Sequence, residues 1–339
     1  MEIANVTLKD IARIAGVSPA TASLALAGDS RVNIKTKRAI EEVAQRLKYV
    51  PNEIGRSLRA KKSETIALIF PNTPHNAFSH PYFVQLLEGI TEILVENGFQ
   101  LLVSASPTEE IAAYDKILRN RRADGIILWP ASIKDRNISR IVESGFPVVY
   151  LGKWHHEDVA TVERDEIGGA YLATEHLIKL GRQRIVHVTG PLDYQVSIDR
   201  LEGYKLALQD HKILFEPSLV IEKDFTMESG RDAVRELIQR KTMFDAVFAG
   251  NDRMAIGAMK ELQKLGISVP GDVSIVGYDN MEMSNLMSPA LTTIDQPMRE
   301  IGTLAVNKLV AMLNNQPVNE SKTVVSSRLI VRDSCGAER

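Results

Sequence analysis

From Thr65 onward the chain repeats one pattern: a short apolar run, then an amphipathic stretch of helical period, then another apolar run. The runs are TIALIF, QLLVSAS, GIILWP, PVVYLG, RIVHVTG, AVFAGN and VSIVGYD. Strands without a polar face must be covered on both sides, and strands that alternate with helices pair in parallel. Within 339 residues this predicts an α/β body built on two parallel, doubly wound sheets. Ligands of such sheets bind outside the carboxyl ends of the strands. Polar residues gather at those ends: Asp165 after VATVER, Asn251-Asp252 after AVFAG, and Asp279-Asn280 after VSIVGY.

The segment before Thr65 follows a different rule. TLKDIARIAG places Leu8, Ile11, Ala12 and Ala15 at helical spacing, with Thr7 and Asp10 spaced as a capping box. Gly16 supplies a turn. Ser18 caps a second helix, with Pro19 at its first position, where the missing N–H costs nothing. IKTKRAIEEVAQRLKYV is a third helix with an apolar stripe of Ile40, Val43, Ala44 and Leu47, stopped by Pro51. PNEIGRSLRAKKS, residues 51–63, is a weak helix that is too short to stand alone, so it is a linker or orders only on docking. Residues 1–62 carry a net charge of +6 and the remainder −8. A basic head on an acidic body points to a polyanion partner for the head, or to a solvated helix pair.

Several classes fall away. The single cysteine, Cys335, excludes an internal disulfide or a cysteine-cage metal site and reads as a spectator thiol in a reducing cytosol. The N-terminus lacks the form of a signal peptide and no run of about 18 apolar residues occurs, so the expected location is cytoplasmic, at the nucleoid when bound to DNA, with no membrane partner. No phosphate-binding, dinucleotide-binding, nucleophile-elbow or zinc-protease motif is present, so no enzyme and no cofactor is expected. His155-His156 beside Glu157-Asp158 reads as a solvated loop before it reads as a metal site. A transport binding protein would need export and would have no use for the head.

Seven stretches, in order, carry a resemblance: TLKDIARIAGVSPATAS, YVPNEIGRSLRAKKS, ATEHLIKLG, RLEGYKLAL, NDRMAIGAM, VPGDVSIVGYDN and LTTIDQP. Over nearly its whole length the chain resembles the lac repressor family of bacterial transcription regulators. The resemblance implies a helix-turn-helix head at 1–50, a hinge helix or linker at 51–63, and an effector-binding, dimerising body at 64–339. That body would resemble a periplasmic binding protein, with lobe one at about 64–163 and 292–323 and lobe two at about 164–291 and 324–339.

By the same resemblance the second helix enters the major groove of double-stranded operator DNA. Its base-reading positions fall on Pro19, Ala20 and Leu24, where the family usually has polar or basic residues. Ala20 and Leu24 can touch thymine methyls but cannot hydrogen-bond to bases. Phosphate contacts fall on Leu8 through its backbone and on Ser18, Thr21, Ser23, Asn33, Thr36 and Tyr49, with Arg31 as an added contact. In the hinge, Leu58 would wedge into the minor groove while Asn52, Arg56 and Arg59 hold the backbone or groove floor. The other reading is a flexible basic linker with Leu58 packed on the body.

For the effector, the resemblance assigns Arg200 as anchor, Asp279 as acceptor of hydrogen bonds from ligand hydroxyls and Phe225 as a stacking ring. Asn251 and Asp165 lie at the lobe edges, Tyr82 and Phe83 form an aromatic pair at the mouth of lobe one, and Gln296 lies in the crossover. Asp279 or Asp165 could instead simply cap a helix, and Phe225 could be core. This set favours a neutral polyhydroxylated ligand, a sugar. A purine corepressor is the rival, disfavoured by Tyr194 and Val196 where polar contacts would be needed. The expected protein is a homodimeric repressor on a near-palindromic operator, released by a small saccharide. Without trailing Leu heptads, no tail-joined tetramer is expected.

Overall fold

The computed structural model describes residues 6–49, 62–70, 82–105, 120, 122–130, 133, 137–154, 159–318 and 320–338, with the side chains of 137–139 left aside. The chain divides into two compact units, Met1–Ser63 and Glu64–Arg339.

The first unit holds three helices: α1 (Leu8–Ile14), α2 (Pro19–Leu26) and α3 (Ile34–Arg46). Thr7 and Asp10 form the expected capping box, and Ser18 Oγ accepts from the Thr21 N–H at 3.1 Å. Gly16 takes φ +66°, which lets α1 turn sharply into α2. The core sets Ile11 and Ile40 among the alanines Ala12, Ala22, Ala25 and Ala44. Ala22 and Ala25 form the buried inner face of α2.

The second unit contains two six-stranded sheets. The first is built from β1 (Thr65–Phe70), β2 (Gln100–Ala105), β3 (Gly125–Leu128), β4 (Val148–Tyr150), β5 (Ala160–Arg164) and β11 (Lys322–Val325). Its order is β11-β5-β4-β3-β1-β2, all parallel. The helices α4 (Phe83–Glu96) and α11 (Met298–Leu313) cover one face, and α5 (Asn137–Glu143) lies against the other. A Cβ at Gly89 would collide with the Arg299 carbonyl, so glycine is what lets α4 and α11 pack this closely.

The second sheet uses β6 (Ile185–Thr189), β7 (Val220–Glu222), β8 (Ala246–Ala249), β9 (Ser274–Tyr278), β10 (Thr292–Asp295) and β12 (Arg328–Ile330), in the order β12-β10-β9-β8-β6-β7. On one side pack α8 (Met227–Gln239) and α9 (Asp252–Lys264), on the other α6 (Glu166–Lys179) and α7 (Gln195–Asp210). A short helix, α10 (Glu282–Leu286), follows β9.

All seven apolar runs form strands, and each sheet is doubly wound. Two details differ from the sequence reading. β12 runs antiparallel to β10, so the second sheet is not wholly parallel. The lobe boundaries also move: β10 lies in the second sheet, although residues 292–323 were expected in lobe one, and β11 extends the first sheet to Val325. The chain crosses between sheets at 164–166, 295–298 and 325–328. The short TTID run is a strand because β9 and β12 supply partners on both sides, which no local pattern reveals.

Candidate functional site

On the head, α2 exposes Pro19 and Ala20, while Thr21, Ser23 and Leu24 are half-buried. Ser18 and Thr21 hydroxyls lie 2.9 Å apart at its start. Asn33 caps α3, accepting from the Lys35 N–H at 2.9 Å, and Thr36 follows in the first turn. Leu8 and Tyr49 are half-buried against the head core. Arg31 is exposed, yet Asp29 holds it: Nη2 donates to Oδ2 at 2.6 Å and Nε to Oδ1 at 3.0 Å. That pairing keeps the Asp29 carboxyl down at about 2, through the Arg31 hydrogen bonds first. Asn52, Arg56, Leu58 and Arg59 lie outside the described residues, as do His155 and His156.

The body gathers charge where the chain crosses between its sheets. β5 ends at Arg164, and Asp165 caps α6 by accepting from the Gly168 N–H at 2.8 Å. Between them in space stands Glu166, whose two oxygens meet Arg164 Nε at 2.7 Å and Arg200 Nε at 2.8 Å. All three side chains are about 5 % exposed. Burial opposes ionisation of Glu166, but the Arg200 and Arg164 guanidiniums overcome it and hold its carboxyl below the ordinary range.

Arg200, in the second turn of α7, is fixed on every side. Its Nη1 donates to the Gly250 carbonyl, its plane lies 3.8 Å from the centroid of the Tyr278 ring, and Nη2 faces Asp279 Oδ1 at 3.9 Å. The Tyr278 hydroxyl needs the room left by Gly169, where a Cβ would collide with it. Asp279 follows β9 with φ 110°, a backbone region that side chains rarely adopt. Asp252 anchors that turn, accepting from the Met281 N–H at 2.8 Å and Ser284 Oγ at 2.6 Å. Gln296 Nε2 donates to Asp279 Oδ1 at 2.6 Å. Burial pushes the Asp279 carboxyl up to about 8, and the Arg200 charge only partly opposes it.

The first lobe contributes rings. Tyr82 stacks on Trp129 with centroids 5.6 Å apart, and Trp129 stacks on Phe70 at 5.2 Å. The Arg164 guanidinium lies 5.5 Å from the Trp129 ring centroid. The Tyr82 phenol is raised by burial and then by the Asp279 charge, while Arg164 and Arg200 pull it down. Its hydroxyl therefore feels charges from both lobes. Further links between the lobes are Lys153 Nζ to Asp199 Oδ1 at 3.5 Å and the Ile133 N–H to the Asp193 carbonyl at 2.9 Å.

Tyr82, Arg200, Asp279 and Gln296 are thus brought to one place. Asn251 and Phe225 form an adjoining wall: Asn251 caps α9 through Oδ1 and donates from Nδ2 to the Phe225 carbonyl at 3.0 Å. The Phe225 ring lies over Gly190, where any Cβ would strike it. Phe83 is elsewhere, buried in the first core with its edge on Phe70 at 5.1 Å. Sequence reasoning passed over Arg164, Glu166, Trp129 and Tyr278. The charge cluster VERDE was a visible signal for the first two, and Trp129 ends a strand as the chosen polar residues do. Among the buried side-chain atoms without a hydrogen-bond partner in the protein are Glu166 Oε1, Thr189 Oγ1, Ser197 Oγ and Gln296 Oε1. Among the described residues no group of three His, Cys, Asp or Glu side chains could hold a metal ion, and no helix is long and apolar enough to cross a membrane.

Comparison with known proteins matches this arrangement. Residues 7–52 fit the model of bacterial regulatory proteins of the lacI family, and residues 174–335 fit a periplasmic binding protein-like domain. The chain is 32 % identical over 335 residues to the HTH-type transcriptional regulator CelR of Thermobifida fusca, covering 97 % of this chain and 98 % of CelR. The chain belongs to the lacI family of bacterial regulatory proteins. Among solved structures of the family, a CelR–cellobiose complex aligns with TM-score 0.77 at 32 % identity, covering 97 % of this chain and 99 % of that one. The lac repressor dimer bound to operator and the anti-inducer ONPF aligns with TM-score 0.86 at 28 % identity, covering 98 % and 99 %. This lacI-family chain is a DNA-binding transcriptional regulator with a two-lobed, periplasmic-binding-protein-like body.

Proposed function

We propose that the chain is a homodimeric repressor of sugar-utilisation genes whose hold on a near-palindromic operator is released when a small neutral saccharide enters the cleft of the body. The observation that carries this reading is the buried set of Arg200, Asp279 and Gln296 at the crossovers, faced by the Tyr82–Trp129 stack. Directional polar groups opposite flat rings suit a molecule with hydroxyls at its edges and C–H groups on its faces. Because these groups come from both lobes, a ligand that bridges them changes how the lobes sit, and the first lobe is joined in sequence to the hinge. Coupling of this kind is reciprocal: operator DNA must weaken sugar binding by the factor that sugar weakens DNA binding.

On the head we assign phosphate contacts to Leu8, Ser18, Thr21, Ser23, Asn33, Thr36 and Tyr49, and methyl contacts to Ala20 and Leu24. The apolar wedge is assigned to Leu58, with Asn52, Arg56 and Arg59 along the groove. A helix with so little polar capacity leaves specificity to DNA shape and to the hinge.

The test is capture of fragmented genomic DNA by the purified protein, with and without cellobiose and other neutral disaccharides. One enriched palindrome, lost on addition of one sugar, is the expected result. Leu58→Ala should reduce that enrichment on the order of tenfold while leaving generic, salt-sensitive binding in place. Capture that strengthens on adding a purine base would replace the sugar reading with corepression.

A further inference from the structure

We propose that Glu166 sets the charge class of the effector: by occupying both buried guanidiniums of the cleft, it makes the site select uncharged hydroxylated ligands over anionic ones. This deepens the sugar reading given above and rests on it.

Arg164 comes from the first sheet and Arg200 from α7, beside the second sheet, and their side chains are only 6 % and 5 % exposed. Two buried guanidiniums converging on one point are an anion clamp, since each fork can hold two oxygens of a carboxylate or phosphate. Here the anion is supplied by the chain itself. Glu166 Oε2 accepts from Arg200 Nε at 2.8 Å, and Oε1 lies 2.7 Å from Arg164 Nε as an ion pair without hydrogen-bond geometry. A phosphate or carboxylate brought to Arg200 would meet that carboxylate at close range in a low-dielectric site, where like charges repel strongly.

The donors of Arg200 lead to the same result. Nε is engaged by Glu166, Nη1 by the Gly250 carbonyl, and one face by Tyr278. What remains is the second N–H of Nη1, and Nη2, which faces Asp279 Oδ1 across 3.9 Å. With the single N–H of Nε engaged, the parallel Nε–Nη2 pair is closed to a bidentate anion. A single hydroxyl fits, because its oxygen can accept from Nη2 while the group donates to Asp279 or accepts from it, whichever way that carboxyl is protonated.

The experiment titrates inorganic phosphate, cellobiose and cellobiose 6-phosphate into the full-length wild type and Glu166→Gln by calorimetry, with the thermal midpoint confirming the fold. Wild type should show no phosphate binding at millimolar concentration, and E166Q should gain at least tenfold in affinity for phosphate and for the phosphorylated sugar. If E166Q does not fold, the double variant Arg164→Gln/Glu166→Gln keeps the net charge but leaves Arg200 without the Glu166 counter-charge, and it should show a smaller gain in the same direction, one guanidinium of the two being left. Folded variants that gain no anion affinity would overturn the proposal, as would a wild type that prefers the phosphorylated sugar. The phosphate titration needs no sugar. Failure of the saccharide reading would therefore show separately, as no neutral sugar binding to either protein.

Discussion

Two arginine–carboxylate pairs in this chain have similar closest distances and different consequences. On the head, Arg31 meets Asp29 at 2.6 Å with side chains 76 % and 22 % exposed. In the cleft, Arg200 meets Glu166 at 2.8 Å with both 5 % exposed. Water and salt screen the first pair, so it opens at little cost and can exchange its carboxylate for a phosphate. The second pair has no water to replace a lost partner, so each charge depends on the other. The head thus keeps its charge available for a polyanion, while the body uses charge to build a rigid site.

The largest expected effect comes from breaking the buried pair. Arg200→Ala should lower stability by about 3–5 kcal/mol and abolish the sugar response, because Glu166 then keeps only Arg164. Denaturant unfolding checks this; a loss under about 1 kcal/mol would mean that the cluster behaves like a surface pair.

Asp279 gives the next largest. Its carboxyl is raised from 3.8 to about 8 in the folded protein, so its stabilising contribution is full below pH 3.8 and is lost as pH rises through 8. Asp252, raised by burial to about 6, acts in the same direction but completes its loss by then. Burial holds His187 down at about 4, so its contribution is present above pH 6.5 and disappears only in acid. Between pH 6 and 8, wild type should therefore lose roughly 1 kcal/mol per pH unit relative to Asp279→Asn. Parallel stability curves for the two proteins would remove Asp279 from this role.

The smallest effect tests the exposed pair. Asp29→Asn frees Arg31, and the logarithmic salt slope of DNA binding should steepen by about 0.9, the share of one added phosphate contact. Stability should hardly change. An unaltered slope would show that Arg31 takes no part in the DNA contact.

What the sequence alone determined was local. Apolar runs of strand length had to be buried on both faces, and Thr7–Asp10, Ser18–Pro19 and Gly16 had to begin and end helices where they do, since caps and turns depend on neighbours within a few residues. Arg200, Asp279 and Gln296 were singled out as candidate site residues through resemblance, and they lie in one cluster in the structure. Tertiary structure decided what lies far apart in sequence. It put TTID between two partner strands, sent Phe83 into the core, and set Trp129 under Tyr82. Above all it turned Glu166, marked in sequence only by its place in the VERDE charge cluster, into the buried counter-charge of Arg164 and Arg200. A carboxylate's role is fixed by its burial and by the charges that face it, and both exist only once the two sheets have come together.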